Sequence, residues 1–182
     1  MNNFNTEKFL KIIQNYNSIL DYGCGYGIFK KSNKINYLYD SNKKLIPILK
    51  KKYKKNTSFK ILKSPKFKNV DVFFMNSVFQ YLSSHQINML KKKMSNFKII
   101  IISDIPKFSR GVEAFLLIFF NPIRLFRGII SFVKKDEPYT KLKFNYYSIK
   151  DIKKIFKKFK IQIISNLDNV KFTRYTIILK KK

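Results

Sequence analysis

Three of the chain's five glycines fall in one stretch, Ser18-Ile19-Leu20-Asp21-Tyr22-Gly23-Cys24-Gly25-Tyr26-Gly27, at alternate positions. Glycine is otherwise avoided, so the cluster needs a local cause. Ile19 and Leu20 read as a buried strand that runs into a turn without side-chain bulk at every second residue. Such a turn tolerates positive φ and lets a ligand lie against the backbone. A strand, a glycine-rich turn and a helix N-terminus together form a nucleotide cradle in a doubly wound sheet. The spacing narrows the choice. A dinucleotide fingerprint needs G-x-G-x-x-G, but Ile28 follows Gly27 and the third glycine comes one residue early. The Lys-Ser/Thr pair of a phosphate-binding P-loop is absent too.

An acid instead precedes the first glycine by two, giving Asp21-x-Gly23-x-Gly25-x-Gly27. This pattern resembles the first motif of the class I S-adenosylmethionine-dependent methyltransferases. Two further segments extend the resemblance. Asp40 ends an apolar run, Ile35 to Tyr39, where the family places an acid that accepts both ribose hydroxyls; a carboxylate offers two oxygens to two adjacent donors. Asn76-Ser77-Val78-Phe79-Gln80-Tyr81-Leu82 follows the fourth apolar run and is similar to the segment that passes beneath the cofactor in small-molecule members. Tyr81 stands where some relatives carry histidine. The Asn/Asp-Pro-Pro-aromatic run of nucleic-acid amino-methyltransferases is missing.

The resemblance implies a Rossmann-like, doubly wound, seven-stranded sheet with strand 7 antiparallel, in three α/β/α layers. It implies that Asp21, Tyr22, Gly23, Cys24, Gly25 and Gly27 hold the methionine end of the cofactor. Asp40, with Ser41, would hold the ribose, and Asn76 would lie beside the cofactor. Two departures stand out. The span from Gly27 to Asp40 leaves room only for a clipped helix, and Lys63-Ser64 occupies the place of the acid many relatives carry near the adenine.

At 182 residues the chain reads as one domain, 1–182, with a sizeable core. Its formal charge of +29 would attract nucleic acid or an anionic membrane. Lysine, asparagine and isoleucine share A/T-rich codons, however, so coding bias suffices to explain it. In so basic a chain each acid becomes informative. The single cysteine, Cys24, excludes an intramolecular disulfide and reads as a packing residue. No spacing suggests a metal-ligand set. Met1 to Asn5 lack the features of a signal peptide, which points to a cytoplasmic location.

Taken in order, a helix is expected over 6–16, strands over 18–22 and 35–39, and a short helix over 28–32. A basic helix is expected over 42–55, with Leu45, Ile48, Leu49 and Tyr53 buried. Strands follow over 59–62, 70–75 and 97–103, with a helix capped by Ser83 or Ser84 and running to Met94. His85 reads as a surface or capping residue. Ser148-x-x-Asp151 is a capping box for a helix that buries Ile152, Ile155, Phe156 and Phe159. Strands over 161–165 and 175–179 are close enough to pair antiparallel.

Residues 106–146 break the alternation. Within them 112–120 are almost wholly apolar, and 123–133 place Leu125, Ile129 and Phe132 on one face and Arg124, Arg127 and Ser131 on another. This segment reads as an apolar insert: a lid over the acceptor, an interfacial membrane helix, or a helix packed on the core.

The expected activity is methyl transfer from S-adenosylmethionine, giving S-adenosylhomocysteine. The acceptor is a small or lipid-linked metabolite, with a sugar of cell-surface glycan synthesis as one candidate. Peripheral contact with an anionic membrane fits a lipid-linked acceptor; nucleic acid is the less favoured partner. Asp104, Tyr81 and Tyr147 are the candidate catalytic groups, each expected on the rim at a strand end or helix start. The rival reading is a degenerate, non-catalytic fold serving as a basic membrane-surface or RNA-binding module.

Overall fold

The computed structural model describes residues 6–29, 33–107, 112, 144–164 and 174–182. Seven strands form one sheet in the order β3-β2-β1-β4-β5-β7-β6. They are β1 (Ser18–Tyr22), β2 (Ile35–Tyr39), β3 (Phe59–Leu62), β4 (Val72–Asn76), β5 (Ile99–Pro106), β6 (Phe159–Ile164) and β7 (Arg174–Lys181). The pairs among β1 to β5 are parallel, while β7 runs antiparallel to both β5 and β6. Helices α1 (Thr6–Ile12), α2 (Leu45–Lys52), α3 (Ser84–Met94) and α4 (Ile149–Ile155) flank the sheet.

Alternation along the central strands builds both faces. Val72 and Phe74 of β4 join Ile99 and Ile101 of β5 in a core with Phe9 of α1 and Leu45 and Leu49 of α2. Phe73 and Met75 point the other way, joining Ile100, Ile102, Ile87 and Leu90 of α3 and Ile152 of α4. A sheet covered on both faces explains why β4 and β5 read as unbroken apolar runs. The α/β/α layering expected from the motifs is what the chain adopts.

Several boundaries differ from the sequence reading. α1 stops at Ile12, where the bonds tighten to Gln14 N onto Lys11 O and Tyr16 N onto Ile13 O. α2 is shorter than expected, and Ile48 is exposed rather than buried. α4 stops at Ile155, so Phe159 is buried as the first residue of β6 and not as part of the helix. β5 runs on to Pro106 through a bulge opposite β7. The short helix expected over 28–32 is not formed at Ile28 or Phe29, and 30–32 lie outside the described residues. Most of the 106–146 insert, including Arg124, Leu125, Arg127, Ile129, Ser131 and Phe132, also lies outside them. Its flanks are described: Tyr146 Oη donates to Lys107 O at 2.6 Å, so the segment departs and rejoins at one point.

Asp71 fastens the opposite end of the sheet. One carboxylate oxygen accepts from Asn17 N (2.9 Å), Ser18 N (3.2 Å) and Ser18 Oγ (3.3 Å), and the other pairs with Lys98 at 2.8 Å. Burial opposes ionisation, but the Lys98 ammonium and these donors outweigh it and hold the carboxyl below its usual range. A depressed carboxyl pKa gives stability that is present above the unfolded value and lost as pH falls through the folded one. Asp71→Asn should therefore lower the melting temperature at pH 7 by about 5 °C. The gap from the wild type should close below pH 4 in thermal scans.

Candidate functional site

In a doubly wound sheet, ligands bind where neighbouring strands send their connections to opposite sides. Here that switch lies between β1 and β4. The glycine turn leaves β1, and the segment Asn76 to Tyr81, ending in a short 3-10 helix over Phe79–Tyr81, leaves β4. All three glycines have positive φ: +76° at Gly23, +54° at Gly25 and +72° at Gly27.

The turn is stitched to its neighbours by backbone bonds. Tyr39 O accepts from Gly23 N (2.7 Å) and Cys24 N (3.0 Å), and Gly27 N donates to Cys24 O (2.8 Å). Gly25 N donates to Asp40 Oδ2 at 2.9 Å, while Asp40 Oδ1 accepts from Asn42 N at 2.8 Å. On the far side Lys52 Nζ reaches Tyr26 O (2.8 Å) and Gly27 O (2.5 Å), and Tyr53 Oη donates to Phe29 O (2.6 Å). Four amides that might have cradled a phosphate are thus engaged within the protein.

Two of the glycines are dictated by packing. A Cβ on Gly23 would lie 2.5 Å from Val78 Cγ2, and one on Gly27 would strike the Tyr53 hydroxyl. The turn is pressed against the segment after β4 on one side and against the end of α2 on the other.

Asp21 is the most unusual group of the site. It is buried, and its Oδ2 has no hydrogen-bond partner. Burial, and then the Asp40 carboxylate, push its pKa up to about 8. Its neighbourhood also raises Cys24 and Tyr53: burial comes first in each case, with the Asp21 charge adding to it. Cys24 is a free, buried thiol in the core on the α1/α2 face, so it packs. Tyr22 is half-buried on the other face, with its ring 5.2 Å from Tyr39 and 5.6 Å from Phe73. Asp40 is buried, and Ser41 beside it is exposed. Asp40 does not cap α2, whose N-cap is Lys44, without a side-chain bond. Its carboxylate instead joins the glycine turn to the start of the α2 connection.

Asn76 ends β4 with its Oδ1 buried and unpartnered. Beside it Ser77 Oγ donates to Asp104 Oδ2, and Arg174 Nε lies 3.7 Å from Asp104 Oδ1. Tyr147 Oη donates to Leu82 O at 3.0 Å, and Tyr81 packs edge-on against Phe144. Tyr147 and Tyr81 thus join the 3-10 segment to residues 144–147. His85 is exposed on the first turn of α3. Among the described residues no three His, Cys, Asp or Glu side chains are grouped to hold a metal ion.

The sequence reading gave no individual site role to Lys52, Tyr53, Val78 or Arg174. Arg174 had a usable signal, being one of four arginines in a chain that otherwise uses lysine.

Solved structures share this arrangement. A SAM-dependent methyltransferase from Aquifex aeolicus superposes with a TM-score of 0.63 at 18% identity, covering 98% of this chain and 90% of that one. Magnesium protoporphyrin IX methyltransferase from Synechocystis, with bound SAM, superposes with a TM-score of 0.64 at 13% identity, covering 97% and 76%. The fold is that of the class I methyltransferases. No family profile matches the chain, and no curated protein matches it by sequence.

The packing account of the turn is testable by calorimetric melting. Gly27→Ala should lower the melting temperature by about 5 °C, since the Tyr53 hydroxyl must give up its bond to Phe29 O. Adding Tyr53→Phe should recover part of that loss. Ordinary additivity of the two changes would refute the collision. Asp21→Asn should stabilise the ligand-free protein at pH 8.5, by an amount that shrinks steadily as pH falls toward about 4. A carboxyl with a raised pKa leaves folding unpenalised below its unfolded value, and stability is lost as pH climbs from there toward about 8.

Proposed function

We propose that this protein binds S-adenosylmethionine at the β1/β4 switch and transfers its methyl group to a small or lipid-linked acceptor. One observation carries the reading. The rim offers buried acceptors, Asp21 Oδ2 and Asn76 Oδ1, while the four bonded turn amides are already engaged. A ligand suited to such a rim supplies hydrogen-bond donors or positive charge and brings no phosphate. S-adenosylmethionine carries an ammonium, a sulfonium and a ribose diol, and has no phosphate.

Asp21 would meet the ammonium, with the turn from Tyr22 through Cys24 to Gly27 forming the floor. Asp40 would accept the ribose hydroxyls, because each of its oxygens accepts one backbone N–H and keeps a second lone pair. Ser41 would line the edge of that site and Asn76 its inner wall. When bound, the cofactor supplies an activated methyl group; the chain supplies alignment and a dry floor, which account for much of such a rate.

The apolar insert would cover the acceptor, since Lys107 and Tyr146 bring its two ends to the carboxyl side of the sheet. A lipid-linked acceptor, such as a glycan precursor, would place a cytoplasmic protein at the inner membrane face. Among the described residues no helix is long and apolar enough to cross a membrane.

Titration calorimetry with S-adenosylhomocysteine tests the reading. The wild type should bind. Asp40→Ala should weaken binding about tenfold or more, with Asp40→Glu retaining part of it. Affinity should rise from pH 6 to pH 8 as Asp21 ionises, and Asp21→Asn should flatten that rise. Absence of binding by the wild type would leave the degenerate-fold reading, to be followed with anionic vesicles and RNA.

A further inference from the structure

The glycine turn does not run into a helix at Ile28 and Phe29. The carbonyls that a helix would have used are met from another element. Lys52 is the last residue of α2, and its ammonium donates to Tyr26 O at 2.8 Å and to Gly27 O at 2.5 Å. Tyr53 follows it and donates its hydroxyl to Phe29 O at 2.6 Å. Two neighbouring side chains at one helix end thus hold three carbonyls of the segment that leaves the turn.

These bonds set the direction of the peptide groups. The described peptides are all trans, and in a trans peptide the N–H points opposite to the C=O. Gly27 O is turned to Lys52, so the N–H of the same peptide, on Ile28, is aimed away from that ammonium. Tyr26 O is turned to Lys52 too, and the N–H of its peptide, on Gly27, donates to Cys24 O at 2.8 Å. Gly23 N and Cys24 N are held by Tyr39 O, and Gly25 N by Asp40. Ile28 N–H, by contrast, has no partner among the described residues.

A cation behind a carbonyl also strengthens the N–H of that peptide as a donor, because hydrogen bonds along one chain of groups polarise each other. A complete helix would bring positive charge to its start through its aligned peptides. Here a single ammonium from α2 brings it. The Lys52 charge is felt within the turn: burial and the Asp21 and Asp40 charges push the Cys24 thiol up, and Lys52 draws it the other way.

We propose that Lys52 is a positioning residue for the carboxylate of the cofactor's amino-acid group. It stands in for the absent helix by fixing and polarising the peptide whose N–H, on Ile28, donates to that carboxylate. With Asp21 assigned to the ammonium, the two charges of the amino-acid group are read by opposite charges, an acid at the end of β1 and a cation behind the turn. The proposal rests on cofactor binding at this turn.

Two ligands that differ in one group test it: S-adenosylhomocysteine, and its decarboxylated form, which keeps the ammonium. The readout is the ratio of the second dissociation constant to the first within one protein, measured by titration calorimetry. General damage to the fold moves both constants and leaves their ratio alone. In the wild type the ratio should be about ten. Lys52→Met keeps the stem and removes the charge; it should bring the ratio to about three or less, with affinity for the decarboxylated ligand within about twofold of wild type. Lys52→Arg keeps the charge and should hold the ratio within about twofold of the wild-type value. Lys52 is exposed, so both variants should fold. A wild-type ratio near one would overturn the carboxylate assignment. A high ratio unchanged in Lys52→Met, or lowered equally in Lys52→Arg, would overturn the role of the Lys52 charge. Failure of the wild type to bind S-adenosylhomocysteine would overturn the cofactor reading and this inference with it.

Discussion

The carbonyl of Tyr39 accepts two hydrogen bonds from the turn after β1, and much of the rim depends on that. With Gly23 N and Cys24 N both fixed on the end of β2, the turn cannot open outward. Asp40 then receives Gly25 N, and the Asp40 carboxylate is drawn in beside the buried Asp21. Two carboxyls are brought together beneath a turn whose bonded amides face inward. Nearby like charge and burial both disfavour ionisation. The two strand ends create this juxtaposition of acids simply by pairing in parallel.

The acids of this basic chain divide by position. Of the described ones, Glu7 sits in the first turn of α1, Asp151 closes a capping box on α4, and Asp71 clamps the amino ends of the strands. Asp21, Asp40 and Asp104 all stand at the carboxyl ends, on β1, after β2 and on β5. A sheet of this kind has one end that holds it together and one end that meets ligands. Runs of lysine mark the carboxyl-terminal turns of helices, as in Lys50 to Lys52 of α2 and Lys91 to Lys93 of α3.

Much of this could be read from the residues. β1, β2 and β3 begin and end where the sequence reading put them, because each carries a short apolar run bounded by polar or glycine-rich turns. The Ser148–Asp151 capping box declared its helix, and of the two serines offered as cap for α3 it is Ser83 that serves, closing a box with Gln86 that the sequence reading did not name. What could not be read was tertiary in origin. The glycines suggested a ligand's approach, yet Gly23 and Gly27 are required by Val78 and Tyr53, residues far off in sequence. The bulge that lengthens β5 depends on Arg174 and Thr176, some seventy residues downstream. Phe159 satisfies a helical spacing and a strand alternation alike, and the pull of β7 decides between them.

The short bridge from Tyr146 to Lys107 has a wider meaning. A segment whose two ends meet at one hydrogen bond is topologically a detour. Its closure entropy grows only with the logarithm of its length, so the sheet is nearly indifferent to how long the detour is. Selection can lengthen, shorten or rewrite it without renegotiating the register of β5 with β7. Such a chain can keep its strands and their rim unchanged while one interruptible stretch is edited.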